Sequence, residues 1–444
     1  MKFGRVSATT LAVLAVVLFA FWCDTGAGLR EVARTWNTPT VPSWVGALPG
    51  NAKSDERVAD IDTVLIHQGF EKAPTWASTL PWWTGQCVQN VPFYRPLSSY
   101  VLWSQWRVFG LSEQRYAVIS YTLLLLATLS YALLIRDFWR FFRLPYPALA
   151  IILSGLSFVG GIGFFTDQRV ICHLVGHLWK NEPDSLTLIF FSVALRAYLS
   201  RKQWRALFFY LLVCLTKEAG IFLPFLCAII ELPELWQNGA ARRAALRRLL
   251  PLFVFLPLFL GLRTLFLHDL YGFRYGSNNA WGFRLFLYAS GPLSELVVQK
   301  AWISLAWAAA LTLAVVVQCR TGRWRVALII GLAALGVLGT IAAGLESDSS
   351  DPIGALFLFL SGRGLWVGVF SACFGGVVWL AFRRAPHASF LALVWAWLAL
   401  ALTLFSPSVM HRYYLMNAGF TLLATIGCVQ VVAVFHSKIT KEKK

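Results

Sequence analysis

Long apolar runs separated by short polar connections make up most of this 444-residue chain. Many of the runs approach the ~17–25 residues that a helix needs to cross a bilayer. The pattern therefore predicts an all-α integral membrane protein with about twelve transmembrane helices. Ten of the predicted spans are unbroken, at about 6–22, 115–135, 146–165, 185–199, 250–267, 296–318, 326–345, 364–382, 388–405 and 413–435.

The apolar run 207–232 is interrupted by the charged pair Lys217 and Glu218. A charge inside a bilayer is unfavourable by ~2.5–3.5 kcal/mol on insertion scales, so such residues usually mark a site. Two short spans that turn back at this pair keep the arginine-rich segment 233–249 on the same side as the other basic connections. We therefore predict a break here. The simpler alternative for the pair itself is mutual neutralisation at the ends of two short helices.

Composition and charge support this arrangement. The chain is 58% hydrophobic and only 14% charged, with a net charge of +18. Its basic residues cluster in short connections, which is typical of cytoplasmic loops, and the predicted topology places the whole excess inside. We thus expect both termini in the cytoplasm and no nucleic-acid partner. The domain prediction is one transmembrane domain over 1–435 and a basic cytoplasmic tail at 436–444. The first outer loop, at 24–113, is predicted to contain interfacial helices, one of them at 94–109.

The residues able to do chemistry fall on the opposite, extracytoplasmic side. Nearly all acidic residues and most histidines lie in the predicted outer loops, and the inner segments contain no phosphate-binding glycine motif. An activated substrate would then have to arrive on a lipid. In the second outer loop, His173 and His177 are four residues apart and would share one face of a helix, so with Asp167 they are candidate ligands for a divalent metal ion.

Four motifs in order resemble the GT-C class of multi-span glycosyltransferases, which includes enzymes similar to protein O-mannosyltransferases. The resemblance covers about residues 90–430. The motifs are Tyr94-Arg95-Pro96-Leu97 before an interfacial helix, Gly176 to Asp184 before a span, Leu215-Thr216-Lys217-Glu218-Ala219-Gly220, and His411-Arg412-Tyr413-Tyr414-Leu415.

The resemblance implies transfer of a sugar from a polyprenyl-phosphate carrier to an acceptor on the outer face. It implies an acidic base or metal ligand in the first loop, for which Asp24, Asp60 and Asp62 are the candidates. The chain departs from the family in that Asp24 has no acidic neighbour near the first span. A tetratricopeptide tail, present in some relatives, is also missing.

The remaining candidates would contact the substrates. Arg or Lys side chains stabilise a leaving phosphate, and this role is assigned to Lys217, Arg363 and Arg412. Further substrate-binding candidates are Arg95, Asp167, Asp184 and Glu218. The expected partners are the lipid-linked donor and membrane lipid, in a bacterial inner membrane. A transporter or lipid flippase, or a non-catalytic scaffold of the same fold, are the alternative functions.

Overall fold

The structure, a computed structural model, describes residues 7–21, 69–86, 94–110, 113–165, 182–237, 239–267, 376–404 and 414–442, and these residues contain helices and no strand. This confirms the all-α prediction for the described part of the chain. The numbered α-helices are α1 (Ala8–Ala20), α2 (Pro96–Phe109), α3 (Glu113–Phe141), α4 (Pro147–Phe165), α5 (Glu182–Leu199), α6 (Gln203–Thr216), α7 (Leu223–Leu235), α8 (Ala240–Leu267), α9 (Pro386–Leu404) and α10 (Tyr414–Glu442). Residues 376–384, directly before α9, are also helical.

Several helix ends follow directly from local sequence. Helices α2, α4 and α9 each begin with a proline, whose missing N–H is not needed in the first turn. Ser7 caps α1 by accepting a hydrogen bond from the backbone N–H of Thr10 at 3.2 Å. Gly110 ends α2 with a φ of 60°, which a residue without a Cβ adopts readily.

The predicted break at Lys217-Glu218 is confirmed. Helix α6 ends at Thr216, a 3-10 turn spans Glu218–Gly220, and α7 starts at Leu223. The chain also reverses direction here. Tyr198, near the end of α5, donates a hydrogen bond to Glu231, near the end of α7, at 2.9 Å. Because α6 starts directly after α5, the end of α7 lies near the start of α6, and the two helices are antiparallel.

Other boundaries differ from the sequence prediction. The sequence predicts the basic segment 233–249 and the span 250–267 as separate elements, but α8, from Ala240 to Leu267, joins the second part of the basic segment to the whole span. The break lies earlier, where Gly239 adopts a φ of 79°. A change from basic to apolar side chains alters the environment of a helix without interrupting its backbone. For the same reason α10 runs on to Glu442, beyond the predicted span end at 435.

Two described helical segments are long and apolar enough to cross a bilayer, namely Val118–Phe141 and Ala240–Leu267. The other apolar helices in the described ranges are shorter, between 10 and 17 residues over their apolar part. The predicted spans at 296–318 and 326–345 lie outside the described residues, as does most of the one at 364–382.

Buried contacts join the helices into one core. The Tyr131 hydroxyl of α3 donates to the carbonyl of Ala418 in α10 at 2.8 Å. The hydroxyls of Ser154 and Thr425 link α4 to α10 at 3.0 Å. Phe191 of α5 packs on Trp395 of α9 with ring centroids 5.2 Å apart. The sites described below are therefore held by packed helices.

Two clusters of charged residues lie at opposite ends of α5, α6 and α7. The first surrounds the bend and is called the Lys217 end. The second, called the Arg248 end, contains Glu231, which is fully buried and accepts hydrogen bonds from Arg201 and Arg248. Both arginines also pair with Glu234. This cluster ties together the end of α7, the start of α8 and the turn between α5 and α6.

Candidate functional site

Lys217 forms a buried ion pair with Asp184 at the bend. The Lys217 ammonium donates a short hydrogen bond to Oδ1 of Asp184, and both side chains are about 6% exposed. Asp184 lies in the first turn of α5, where a negative charge is stabilised by the helix dipole. Lys217 has extended backbone geometry between two helices. The pair therefore joins the start of α5 to the end of α6.

Glu218 points to a different partner, Arg95. The guanidinium of Arg95 donates to Oε2 of Glu218 at 2.8 Å. Arg95 and the buried Arg263 both place positive charge close to the Glu218 carboxylate. Oε1 of Glu218 is buried and accepts no hydrogen bond from the residues that the structure describes.

Each member of the Lys217-Glu218 pair thus binds a residue distant in sequence. This outcome differs from the simple alternative, in which the two residues would neutralise each other. Lys217 has extended backbone geometry and Glu218 begins the 3-10 turn, and their side chains reach the start of α5 and the residue before α2, respectively.

Helix α2 is attached to the bend by a second contact. The Ser98 hydroxyl donates to the carbonyl of Thr216 at 2.6 Å, and both groups are buried. Thr216 is the last residue of α6, where carbonyl groups lack partners within the helix. The predicted interfacial helix at 94–109 is confirmed as a helix, and its first turn completes the site.

Glu182, which sequence reasoning did not select, is a further buried carboxylate nearby. It is the first residue of α5 and accepts hydrogen bonds from Gln105 of α2 and, at 2.7 Å, from Ser120 of α3. Burial raises its pKa to about 7, although the two hydrogen bonds lower it. The only sequence signal was an acidic residue at a helix start, which also suits an ordinary cap.

Four of the predicted site residues converge at the Lys217 end: Arg95, Asp184, Lys217 and Glu218. The others lie outside the described residues, namely Asp24, Asp60, Asp62, Asp167, His173, His177, Arg363 and Arg412. Within the described ranges, no group of three or more His, Cys, Asp or Glu side chains could hold a metal ion. The weak metal prediction at His173 and His177 is not tested by that observation.

Charges of both signs meet at the Lys217 end. Among the described residues, Arg95, Lys217 and the buried Arg263 are cations, and Asp184, Glu218 and the nearby Glu182 are carboxylates, so the formal charges balance. Fixed cations in a poorly solvated site interact strongly with an anion, since little water competes. Such a site is suited to hold a phosphate oxygen.

Comparisons of the chain with protein-family models, with curated proteins and with solved structures find no match.

Proposed function

We propose that the protein is a multi-span membrane glycosyltransferase of the GT-C type, which transfers a sugar from a polyprenyl-phosphate carrier to an acceptor on the extracytoplasmic face. One observation carries this proposal. Four residues that the resemblance assigns to substrate binding meet in one cluster of largely desolvated charges, which includes the cations Arg95 and Lys217. They come from three separate stretches of sequence. The cluster lies at the helix ends opposite the Arg248 end.

In this mechanism the hydroxyl oxygen of the acceptor bonds to the anomeric carbon of the sugar, while a first-loop carboxylate takes the proton from that hydroxyl. The bond from that carbon to the phosphate oxygen breaks, and the carrier phosphate leaves with the bonding electrons. Lys217 and Arg95 stabilise the negative charge that grows on the phosphate. Asp24, Asp60 and Asp62 are the candidate bases, and Arg363 and Arg412 would also hold the phosphate.

The topology proposed with this function has about twelve spans, both termini in the cytoplasm and a long first outer loop. A bacterial inner membrane supplies both the carrier lipid and an outer face for the acceptor. The apolar lengths of Val118–Phe141 and Ala240–Leu267 support the membrane placement.

The experiment is sugar release from radiolabelled polyprenyl-phosphate hexoses and pentoses by the purified full chain. Single Asp24→Asn, Asp60→Asn and Asp62→Asn variants identify the base, and full activity in all three would exclude a first-loop base. A folded wild-type protein that releases no sugar, but moves the lipid-linked donor across a vesicle membrane, would instead be a flippase. A folded protein that neither releases sugar nor moves the donor would favour the non-catalytic scaffold.

A double-mutant cycle on Lys217 and Asp184 tests whether Lys217 holds the phosphate of the donor. Lys217→Met alone leaves Asp184 buried without its partner, so we expect a loss of ~3–5 kcal/mol in unfolding free energy. Lys217→Met with Asp184→Leu removes both charges and should recover most of that stability. If Lys217 holds the phosphate, the stable double variant still loses ~10²–10³-fold in transfer rate. Wild-type activity in the double variant would mean that the ion pair has only a structural role. Lys72→Met, at an exposed position, is the control and should change neither stability nor transfer rate.

A further inference from the structure

Five basic residues form an exposed set at the Arg248 end, which we call the basic rim: Lys202, Arg205, Arg242, Arg243 and Arg247. Unlike Arg201 and Arg248, none of the five forms an ion pair with any residue that the structure describes. The Arg201, Glu231 and Arg248 contacts bring the α5–α6 turn beside the start of α8, so the two halves of the rim lie at one end of the helices.

Two tryptophans accompany the rim. Trp204, in the first turn of α6, is 80% exposed, and Trp236, directly after α7, is 77% exposed. Tryptophan rings favour the boundary between lipid headgroups and hydrocarbon, where the indole N–H stays hydrated and the ring is shielded from water. Exposed tryptophans next to exposed basic side chains are the combination expected of a surface that faces lipid headgroups.

The exposed face of α8 shows which kind of anion the rim faces. Arg243 and Arg247 are followed at helical spacing by the exposed Leu250, Val254, Leu258 and Leu262. One stripe of the helix thus passes from basic to wholly apolar side chains. A nucleic acid or an acidic protein would match the first part of that stripe and leave the second uncovered. A phospholipid matches both, with its phosphate on the arginines and its acyl chains along the leucines.

We propose that the basic rim, with Trp204 and Trp236, is a binding surface for anionic phospholipids at one boundary of the bilayer. This inference rests on the membrane placement proposed above and is independent of glycosyl transfer. The lipid is recognised by its net negative headgroup. Phosphatidylcholine, which has a phosphate but no net charge, is the matched comparison.

The test uses the purified full chain in an uncharged detergent, titrated with phosphatidylglycerol or phosphatidylcholine. Bound lipid is counted by native mass spectrometry, and the unfolding temperature is followed in parallel. We expect phosphatidylglycerol to bind more tightly, to raise the unfolding temperature more, and to lose this advantage in high salt. Equal retention and equal stabilisation by both lipids would overturn the proposal.

Variants then place the binding site. Arg242→Gln, Arg243→Gln and Arg247→Gln each remove one exposed charge from the first turns of α8 and should each weaken phosphatidylglycerol binding about fivefold. Trp204→Ala with Trp236→Ala should weaken binding of both lipids. Lys72→Gln, another exposed position, should leave binding unchanged. Undiminished phosphatidylglycerol binding by all three arginine variants, or stronger retention of a soluble acidic peptide than of phosphatidylglycerol, would refute the lipid surface.

Discussion

The adjacent residues Lys217 and Glu218 form two ion pairs, a buried one with Asp184 and a largely buried one with Arg95. Removing two charges from water is unfavourable, and an apolar pair of similar size often gives equal or greater stability. Their presence therefore calls for a reason other than stability. Binding an anion is one such reason, because it requires fixed positive charge that is already desolvated before the ligand arrives.

Glu182 provides a pH-dependent prediction at the same scale. Its pKa is raised from 4.5 in the unfolded chain to about 7 by burial. The folded protein therefore binds this proton more tightly than the unfolded chain does. The contribution of Glu182 to the unfolding free energy should be largest below its unfolded pKa and should decrease as pH rises toward its folded pKa.

The measurement is the unfolding temperature between pH 4.5 and pH 7 for the wild type, Glu182→Gln and Glu71→Gln. Glutamine imitates the neutral carboxyl, so Glu182→Gln should flatten this part of the wild-type profile. Glu71 is exposed and its variant should follow the wild type. Parallel profiles in all three proteins would show that Glu182 does not titrate in this range.

At the scale of elements, close helix contacts in the core depend on glycines. A Cβ added at Gly427 of α10 would lie 2.4 Å from the carbonyl oxygen of Val377, and one at Gly419 would lie 2.7 Å from the backbone nitrogen of Ala396. These neighbours are backbone atoms, which cannot rotate away. By contrast, a Cβ at Gly261 of α8 would meet nothing within 4 Å.

Gly427→Ala and Gly419→Ala should therefore each destabilise the protein by ~1–3 kcal/mol, since α10 must move away from its neighbour. Gly261→Ala should instead be stabilising by ~0.5–1 kcal/mol, because alanine restricts the unfolded chain more than glycine. Thermal unfolding followed by tryptophan fluorescence measures all three. Equal effects at Gly427 and Gly261 would mean that α10 does not pack so closely.

The sequence predicted the elements better than their contacts. The break at Lys217-Glu218 could be predicted, because an intramembrane charge pair and the positions of the arginines are both local signals. The partners could not, because Asp184 and Arg95 are 33 and 123 positions away from the residues that they bind. Glu182 was missed for a related reason. Its role depends on Gln105 and Ser120, and only the docking of α2 and α3 against α5 brings them together.

For the whole molecule, the described contacts separate two polar ends. Arg201 lies over the Phe141 ring at 5.8 Å, and His387 contacts the Ile229 carbonyl at 2.6 Å. The C-terminal end of α3 and the start of α9 therefore also lie at the Arg248 end. Arg95, Asp184 and Glu218 occupy the Lys217 end. Helix α5 has 18 residues, or about 27 Å at 1.5 Å per residue, which is close to the ~30 Å hydrocarbon core.

This separation predicts opposite exposure of the two ends across a membrane. Trp236→Cys introduces a thiol at the Arg248 end, and Lys72→Cys introduces one beside Ala73, whose carbonyl accepts a hydrogen bond from Trp103 of α2. In intact cells an impermeant maleimide should label Lys72→Cys, whereas Trp236→Cys should react only after the membrane is opened. The wild type provides the background from native cysteines, of which Cys214 and Cys227 are buried. Labelling of both variants in intact cells would contradict the inner placement of the basic rim, because the two polar ends would then share one compartment.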